Sequence, residues 1–523
     1  MAHESSRRAF LRRGSAATAG VFAASGIVAA QGHEEIPPPR ALTAAGEAGA
    51  DYPRDRPGPS APVGSASDRG KLVSGLRGVD EKVVAVEAPD LTRLFWEMKG
   101  GVKEFHLHCR HTRREFLPDM WFDVWGFNDS MPGPTIEAVE GDRVRIVVHN
   151  ELPESTSLHW HGLEVPIAMD GVHGLTQEPI KPGKSFAYEF TLHQNGTFFY
   201  HSHGPMQEGM GMAGLFIIHP KTAHRPVVDH DFGLLIQEWA ILPQNTIPNT
   251  MSMEFNFFTI NGRSAPYITP LVVKLGSRVR IRFVNMSAID HHPMHLHGHT
   301  FWVTGTEGGR IPETAWIPGN NVLVGVAQAR DVEFIANNPG DWMIHCHMFH
   351  HMMNHMSSMV GPMAGHSMTT PGARDMANSL GMLSLGRGTS PTEDLGATVQ
   401  GRGTGEQTTA ERTLRNGPAG PGRTKDPRYR VPGYPQDMMD MMAMHPPEHM
   451  KKLNKPLTRG MRRNWFSGVE GLMTVLRVLP PDLYDKVMSG KGEIEPGAST
   501  PGAGPGETPG MMGGHDGHEM PKK

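Results

Sequence analysis

Gly141-Asp142-Arg143-Val144-Arg145-Ile146-Val147-Val148 alternates apolar side chains behind a Gly-Asp turn, and Gly276-Ser277-Arg278-Val279-Arg280-Ile281 repeats the pattern later in the chain. A period of two puts Val144, Ile146 and Val148 on one face of a strand. Each copy then leads to two histidine pairs. The first has His159-Trp160-His161-Gly162 and His201-Ser202-His203, and the second has His295-Leu296-His297-Gly298 and His345-Cys346-His347. One module is therefore written twice, at roughly 135 residues per copy, a size suited to a Greek-key β-sandwich. Short alternating runs with Pro and Gly punctuation continue from about Lys82 to about Gly365 and predict an all-β body of two such sandwiches.

Outside that body the texture changes. Ser6-Arg7-Arg8-Ala9-Phe10-Leu11, an apolar stretch from Gly14 to Ala30 and the small-residue site Val28-Ala29-Ala30 resemble a twin-arginine export signal. This predicts a periplasmic or secreted protein. The stretch is too short and glycine-broken for a membrane span. The resulting organisation is a signal peptide over 1–30, a flexible linker over 31–81, domains over 82–223 and 224–366, and a mostly disordered Met/Gly/Pro-rich tail over 367–523 with one helix near Val469 to Leu479. The 523 residues carry a net charge of -4, which excludes a nucleic-acid role resting on a basic surface. Thirty His and 34 Met beside two Cys indicate metal chemistry built on imidazole and thioether, without a disulfide framework.

The donor spacing has a physical reason. Residues i and i+2 share a strand face, so each His-x-His offers two imidazoles side by side, while Cys346 points to the face opposite His345 and His347. His292, Cys346, His351 and Met356 supply two imidazoles, a thiolate and a thioether, the donor set of a blue electron-transfer copper. Aligned on the His-x-His pairs, Thr156 stands against His292, Ser202 against Cys346, Gln207 against His351 and Met212 against Met356. Only the second copy can hold the blue copper.

These four motifs, from His159 to Met356, resemble those of the multicopper oxidases, and two modules with the blue site in the second resemble the two-domain, small laccases. The resemblance implies two cupredoxin-like domains and four coppers per chain. The type 1 copper would take His292, Cys346 and His351 with Met356 as weak axial ligand, the type 2 copper His159 and His295, and the type 3 pair His161, His201, His203, His297, His345 and His347. It further implies oxidation of a small reducing substrate one electron at a time, reduction of molecular oxygen to water, and a homotrimer with clusters between subunits. Asp170 resembles the acid that relatives place near the type 2 copper, and its other reading is a turn residue before Gly171. Phe349 and His350 stand where many three-domain relatives carry a Glu, which puts that proton route in doubt.

Met206, Met210 and Met212, then Met348, Met352, Met353, Met359 and Met363, surround the motifs, and the tail adds more methionine and histidine. Thioethers favour Cu(I). The methionines therefore point to Cu(I) as reductant, and the resemblance equally allows Mn(II), a phenol or an aromatic amine at the same site. Two other functions compete: a non-enzymatic copper-storage protein, and a copper nitrite reductase, against which Ser202 argues. In His106-Leu107-His108-Cys109 the histidines share one face, and Cys109 falls on the apolar one, as a core thiol.

Overall fold

A computed structural model describes residues 83–241, 245–251, 255–352, 451–463 and 465–500. The expected signal peptide, the whole of the linker and Met356 lie outside them. The first module runs through β1 (Glu97–Lys99), β2 (Val102–Leu117), β3 (Met120–Phe127), β4 (Gly133–Val139), β5 (Arg143–Asn150), β6 (Leu158–His161), β7 (Ser185–Thr191), β8 (Gly196–Ser202), the short helix α1 (Pro205–Gly209) and β9 (Ala213–His219). The second runs through β10 (His230–Trp239), β11 (Phe257–Ile260), β12 (Leu271–Lys274), β13 (Arg278–Asn285), β14 (His292–Leu296), β15 (Phe301–Thr306), β16 (Gly309–Arg310), β17 (Ile317–Gly319), β18 (Asn321–Val324), β19 (Ala329–Ile335) and β20 (Gly340–Cys346). After residue 450 come β21 (Met473–Leu479) and α2 (Pro481–Ser489).

Four sheets result. Sheet 1 has the order β1-β2-β5-β7 with β3 on β2, and sheet 2 the order β4-β9-β8-β6. Sheet 3 is β11-β10-β13-β19-β15-β16 with β17 on β15, and sheet 4 is β12-β21-β20-β14-β18. Apolar cores join neighbouring sheets. Leu107, Ile146 and Tyr188 of sheet 1 meet Trp160, Tyr200 and Phe216 of sheet 2. Phe199, Leu215 and Ile217, on the other face of sheet 2, meet Leu235, Val284 and Ala329 of sheet 3. Leu234, Ile281 and Phe334 then meet Met294, Ile344 and Cys346 of sheet 4. The sheets therefore stack in the order 1-2-3-4, and the outer face of sheet 4 is the one most distant from the first sandwich. Both repeated strands, β5 and β13, lie inside their sheets, as their alternation requires.

The helix expected near Val469 to Leu479 is instead strand β21. It pairs in parallel with β12 and antiparallel with β20, and all seven of its residues are buried. A short apolar run that is buried on both faces has no period that separates strand from helix, and β-branched Thr474, Val475 and Val478 favour the strand. The helix lies just beyond, opened by Pro481 and closed by Gly490 at φ 70°. The tail expected as mostly disordered thus contains a folded segment that completes the second sandwich.

That segment is pinned by charge. Lys455 Nζ lies 3.2 Å from Asp90 Oδ1 and 2.9 Å from Thr269 Oγ1, while Lys452 Nζ reaches Glu115 and Asp119 at 2.7 and 2.6 Å. Burial raises the Asp90 carboxyl, but Lys455, Arg263 and hydrogen bonds from Thr269 outweigh it and hold it at about 2. A carboxyl with a depressed folded value stabilises above its unfolded value and loses that contribution as pH falls through the folded one. Stability worth about 2 kcal/mol is thus expected to disappear between roughly pH 4 and pH 2. Denaturant titration over that range checks it: Asp90→Asn should be destabilised at neutral pH and show a flatter acid limb, and an unchanged limb would refute the pairing.

Candidate metal centres

The buried centre lies between sheets 3 and 4. Cys346 at the end of β20 places its Sγ 3.6 Å from His292 Nδ1 on β14 and 3.5 Å from His351 Nδ1, and the two Nδ1 atoms are 3.2 Å apart. A point in the plane of these three atoms lies about 2 Å from each, close to metal–imidazole and metal–thiolate bond lengths. The donor set fits a trigonal copper. Each imidazole is held from behind: His292 Nε2 is 2.7 Å from Ser287 Oγ, and His351 Nε2 is 3.4 Å from Asp290 Oδ2. His351 also stacks on Phe258, with centroids 4.1 Å apart. Burial, with His351 and His291 beside it, pushes His292 down to about 3, so it stays neutral and offers its lone pair. Burial pushes the Cys346 thiol up to about 12, so a metal ion must displace its proton to bind.

The matching place in the first sandwich is closed by hydrogen bonds. Thr156 Oγ1 and Ser202 Oγ donate to Gln207 Oε1 at 2.7 and 2.6 Å, and Gln207, on α1, donates through Nε2 to Glu154 at 2.7 Å and to the Ser155 carbonyl at 2.9 Å. The three positions aligned with His292, Cys346 and His351 thus converge in space without a thiolate or an imidazole.

Two histidine half-sites share one design. In the first, His159 on β6 faces His201 on β8, with centroids 5.4 Å apart at 75°. In the second, His295 on β14 faces His345 on β20, with centroids 5.5 Å apart at 86°. Ligand atoms of His159, His161 and His201 lie within 4.8 Å of one another, as do those of His295, His297 and His345. Exposed His203 and His347 flank them, with centroids 5.8 Å from His159 and 5.6 Å from His295.

Backbone carbonyls settle the tautomers. His159 Nδ1 donates to the Asp170 carbonyl at 2.8 Å and His295 Nδ1 to that of Asn320 at 2.7 Å. His201 and His345 donate to the carbonyls of Ser202 and Cys346 at 3.0 and 2.8 Å. A carbonyl only accepts, so each Nδ1 carries the proton and each Nε2 keeps a lone pair for a metal. Burial and the neighbouring His201 and His159 bring His161 down to about 4, which keeps it neutral as well. The Asp170 carboxylate stands 3.5 Å from His159 Nδ1, farther than its own carbonyl. Glu208 Oε2 is 3.4 Å from His201 Nδ1.

No hydrogen bond or ring contact joins the two half-sites among the described residues. The first lies on the face of sheet 2 that carries Phe199 toward sheet 3. The second lies on the outer face of sheet 4, so sheets 3 and 4 stand between them. Phe349 and His350 are exposed, and Cys109 is a free thiol buried in the first core. Sequence reasoning missed Asn320, Ser287, Asp290 and Glu208. Ser287 and Asp290 sit just ahead of His292 and could have been noticed, whereas a carbonyl acceptor such as that of Asn320 leaves no trace in residue type.

Two family models described as multicopper oxidase match residues 109–223 and 241–362. Laccase-1 of Cryptococcus neoformans var. grubii is 34% identical over 224 residues, 36% of this chain and 35% of that protein. Copper resistance protein A of Pseudomonas syringae pv. tomato is 34% identical over 137 residues, 26% of this chain and 22% of that protein. The blue copper oxidase structure from Nitrosomonas europaea shares 31% identity, with 48% of this chain and 80% of that one covered and a TM-score of 0.44. The chain spans about a third or less of the length of these curated relatives. With two matched models, one over each sandwich, and the donor set in place, the chain belongs to the multicopper oxidase family.

Proposed function

We propose that this protein is a laccase-like copper oxidase that takes single electrons from a small reducing substrate and reduces dioxygen to water. The observation that carries the reading is the His345-Cys346-His347 strand end, where one thiolate faces the buried centre and its two neighbours face the outer half-site. His292, Cys346 and His351 hold the type 1 copper. His159 and His295 hold the type 2 copper, and His161, His201, His203, His297, His345 and His347 the type 3 pair, four coppers per chain. When bound, the coppers supply four one-electron centres, matching the four electrons that dioxygen needs.

The chain's own groups do the positioning. The Asp170, Asn320, Ser202 and Cys346 carbonyls aim the four Nε2 lone pairs. The Asp170 carboxylate, partly exposed at the rim, is placed to pass protons inward from solvent. Because the second sandwich separates the half-sites, a complete cluster requires the first module of one copy against the second module of another. Exposed Ile167 and Leu175, in the segment that follows His161, and exposed Leu323, Met348 and Phe349, around the second half-site, are the apolar rims such a contact covers. A head-to-tail contact that closes gives a ring, and a homotrimer is the expected size.

The laccases and copper resistance proteins among the relatives favour two reductant classes, phenols or aromatic amines and Cu(I), with Mn(II) as a further candidate. Half-buried and exposed methionines near the motifs, Met206, Met210 and Met348, favour Cu(I). Twin-arginine export would place the protein in the periplasm or outside the cell, and no helix among the described residues is long and apolar enough to cross a membrane.

The test combines copper analysis, an oxygen electrode and solution mass. About four coppers per chain and oxygen uptake with one of these reductants are expected, from a trimer. Full copper loading without oxygen uptake would replace the oxidase with a storage protein. A monomer holding a complete cluster would overturn the shared half-sites.

A further inference from the structure

The repeat, taken in three dimensions, moves the fourth position of the type 1 site. In the first sandwich the Ser202 N–H donates to the Met212 carbonyl at 3.0 Å, and the Met212 N–H to the Gln207 carbonyl at 3.2 Å. In the second, the Cys346 N–H donates to the Leu472 carbonyl at 3.0 Å, and the Leu472 N–H to the His351 carbonyl at 2.8 Å. The strand registers agree: His201 pairs with Ala213 on β9, and His345 with Met473 on β21. Ser202 matches Cys346 and Gln207 matches His351, so Met212 matches Leu472. Sequence spacing alone points to Met356, because Met212 follows Gln207 at the interval at which Met356 follows His351. The strand that in the first module begins directly after Met212 begins in the second only after Leu472, with residues 352 to 471 intervening.

Register decides what that position offers. Residues directly opposite in an antiparallel pair point to the same face with Cβ atoms roughly 5 Å apart. Leu472 is the partner opposite Cys346, is fully buried and belongs to the same apolar cluster as Cys346, Met294 and Phe258. Met473, one residue on, points with His345, and its Sδ accepts the Glu470 N–H at 3.4 Å.

We infer that Leu472 occupies the axial position of the type 1 site, so that an alkyl group stands where sequence spacing put the thioether of Met356. This rests on the reading of His292, Cys346 and His351 as the type 1 ligands. A thioether donates to the oxidised copper and lowers its potential, and an alkyl group in a dry apolar shell does not. The site is therefore tuned toward a high potential and accepts electrons from weak reductants.

The test measures the type 1 midpoint potential, visible spectrum and EPR splitting of the copper-loaded full chain and two variants. Leu472→Met is a near-isosteric change that keeps the core filled. It is expected to lower the midpoint potential and shift the spectrum and splitting. Met356→Leu is expected to leave all three readouts unchanged. A raised potential or altered spectrum in Met356→Leu, or an unaltered one in folded, blue Leu472→Met, overturns the assignment. If the unsubstituted chain shows no type 1 signature at all, the underlying copper reading fails instead.

Discussion

Cys346→Ser is expected to abolish the blue absorption and reduce substrate oxidation by roughly 10³-fold or more, a loss of about 4 kcal/mol in barrier terms. Among the described residues the thiolate is the one anionic donor in the buried centre, and a hydroxyl of similar size does not replace it as ligand or as electron route. The fold should survive. Ser202 already stands at the equivalent place in the first sandwich, fully buried and hydrogen-bonded, and a serine hydroxyl at 346 can donate to one of the two imidazole nitrogens that lie within 3.6 Å of the Cys346 Sγ. The outer half-site keeps His295, His297, His345 and His347, so copper analysis should show loss of one copper in four with the remainder retained. Turnover persisting in a colourless variant would place electron entry elsewhere.

Removing residues 451–523 is expected to unfold the second sandwich. Strand β21 lies between β12 and β20, so its loss splits sheet 4. It also uncovers the core where Leu472, Leu476, Val478 and Leu479 are fully buried. Four such side chains at roughly 1.5–3 kcal/mol each amount to about 6–12 kcal/mol, comparable to the whole stability of a domain. Arg477 adds to the effect: it is completely buried, it pairs with Asp341 at 2.8 Å, and its removal leaves that carboxylate without its cation. Thermal unfolding followed by circular dichroism, with limited proteolysis of the second module, measures this. A truncated chain that melts as cooperatively and at the same temperature as the full one would show that β21 is dispensable.

Much of the candidate site was legible because its chemistry restricts residue type. Few side chains bind copper, and the i, i+2 spacing of His345 and His347 around Cys346 already states which donors share a face. Ser202 opposite Cys346 likewise marked the module that lacks the thiolate, and the structure adds that Thr156, Ser202 and Gln207 still converge at the matching place. Other features left no such trace. The acceptors that orient His159, His201, His295 and His345 are carbonyls, which every residue has. The Asp170 carbonyl, closer to His159 than its carboxylate, could not be separated from the side chain in a motif. The run from Met473 to Leu479 had no period to distinguish strand from helix, and its partner β20 lies far away along the chain.

By itself, then, the sequence determined two β-sandwich modules, their order, and the histidines and cysteine that converge in the candidate centres, because alternation and donor chemistry are local properties. Only the tertiary structure decided that the sheets stack 1-2-3-4, that the half-sites therefore face apart within one chain, and that a strand from beyond residue 450 lies against Cys346. Those outcomes depend on which surfaces pack and which strands pair across long separations. The same pairing places Leu472 opposite Cys346, a neighbour that counting residues from His351 could not reveal.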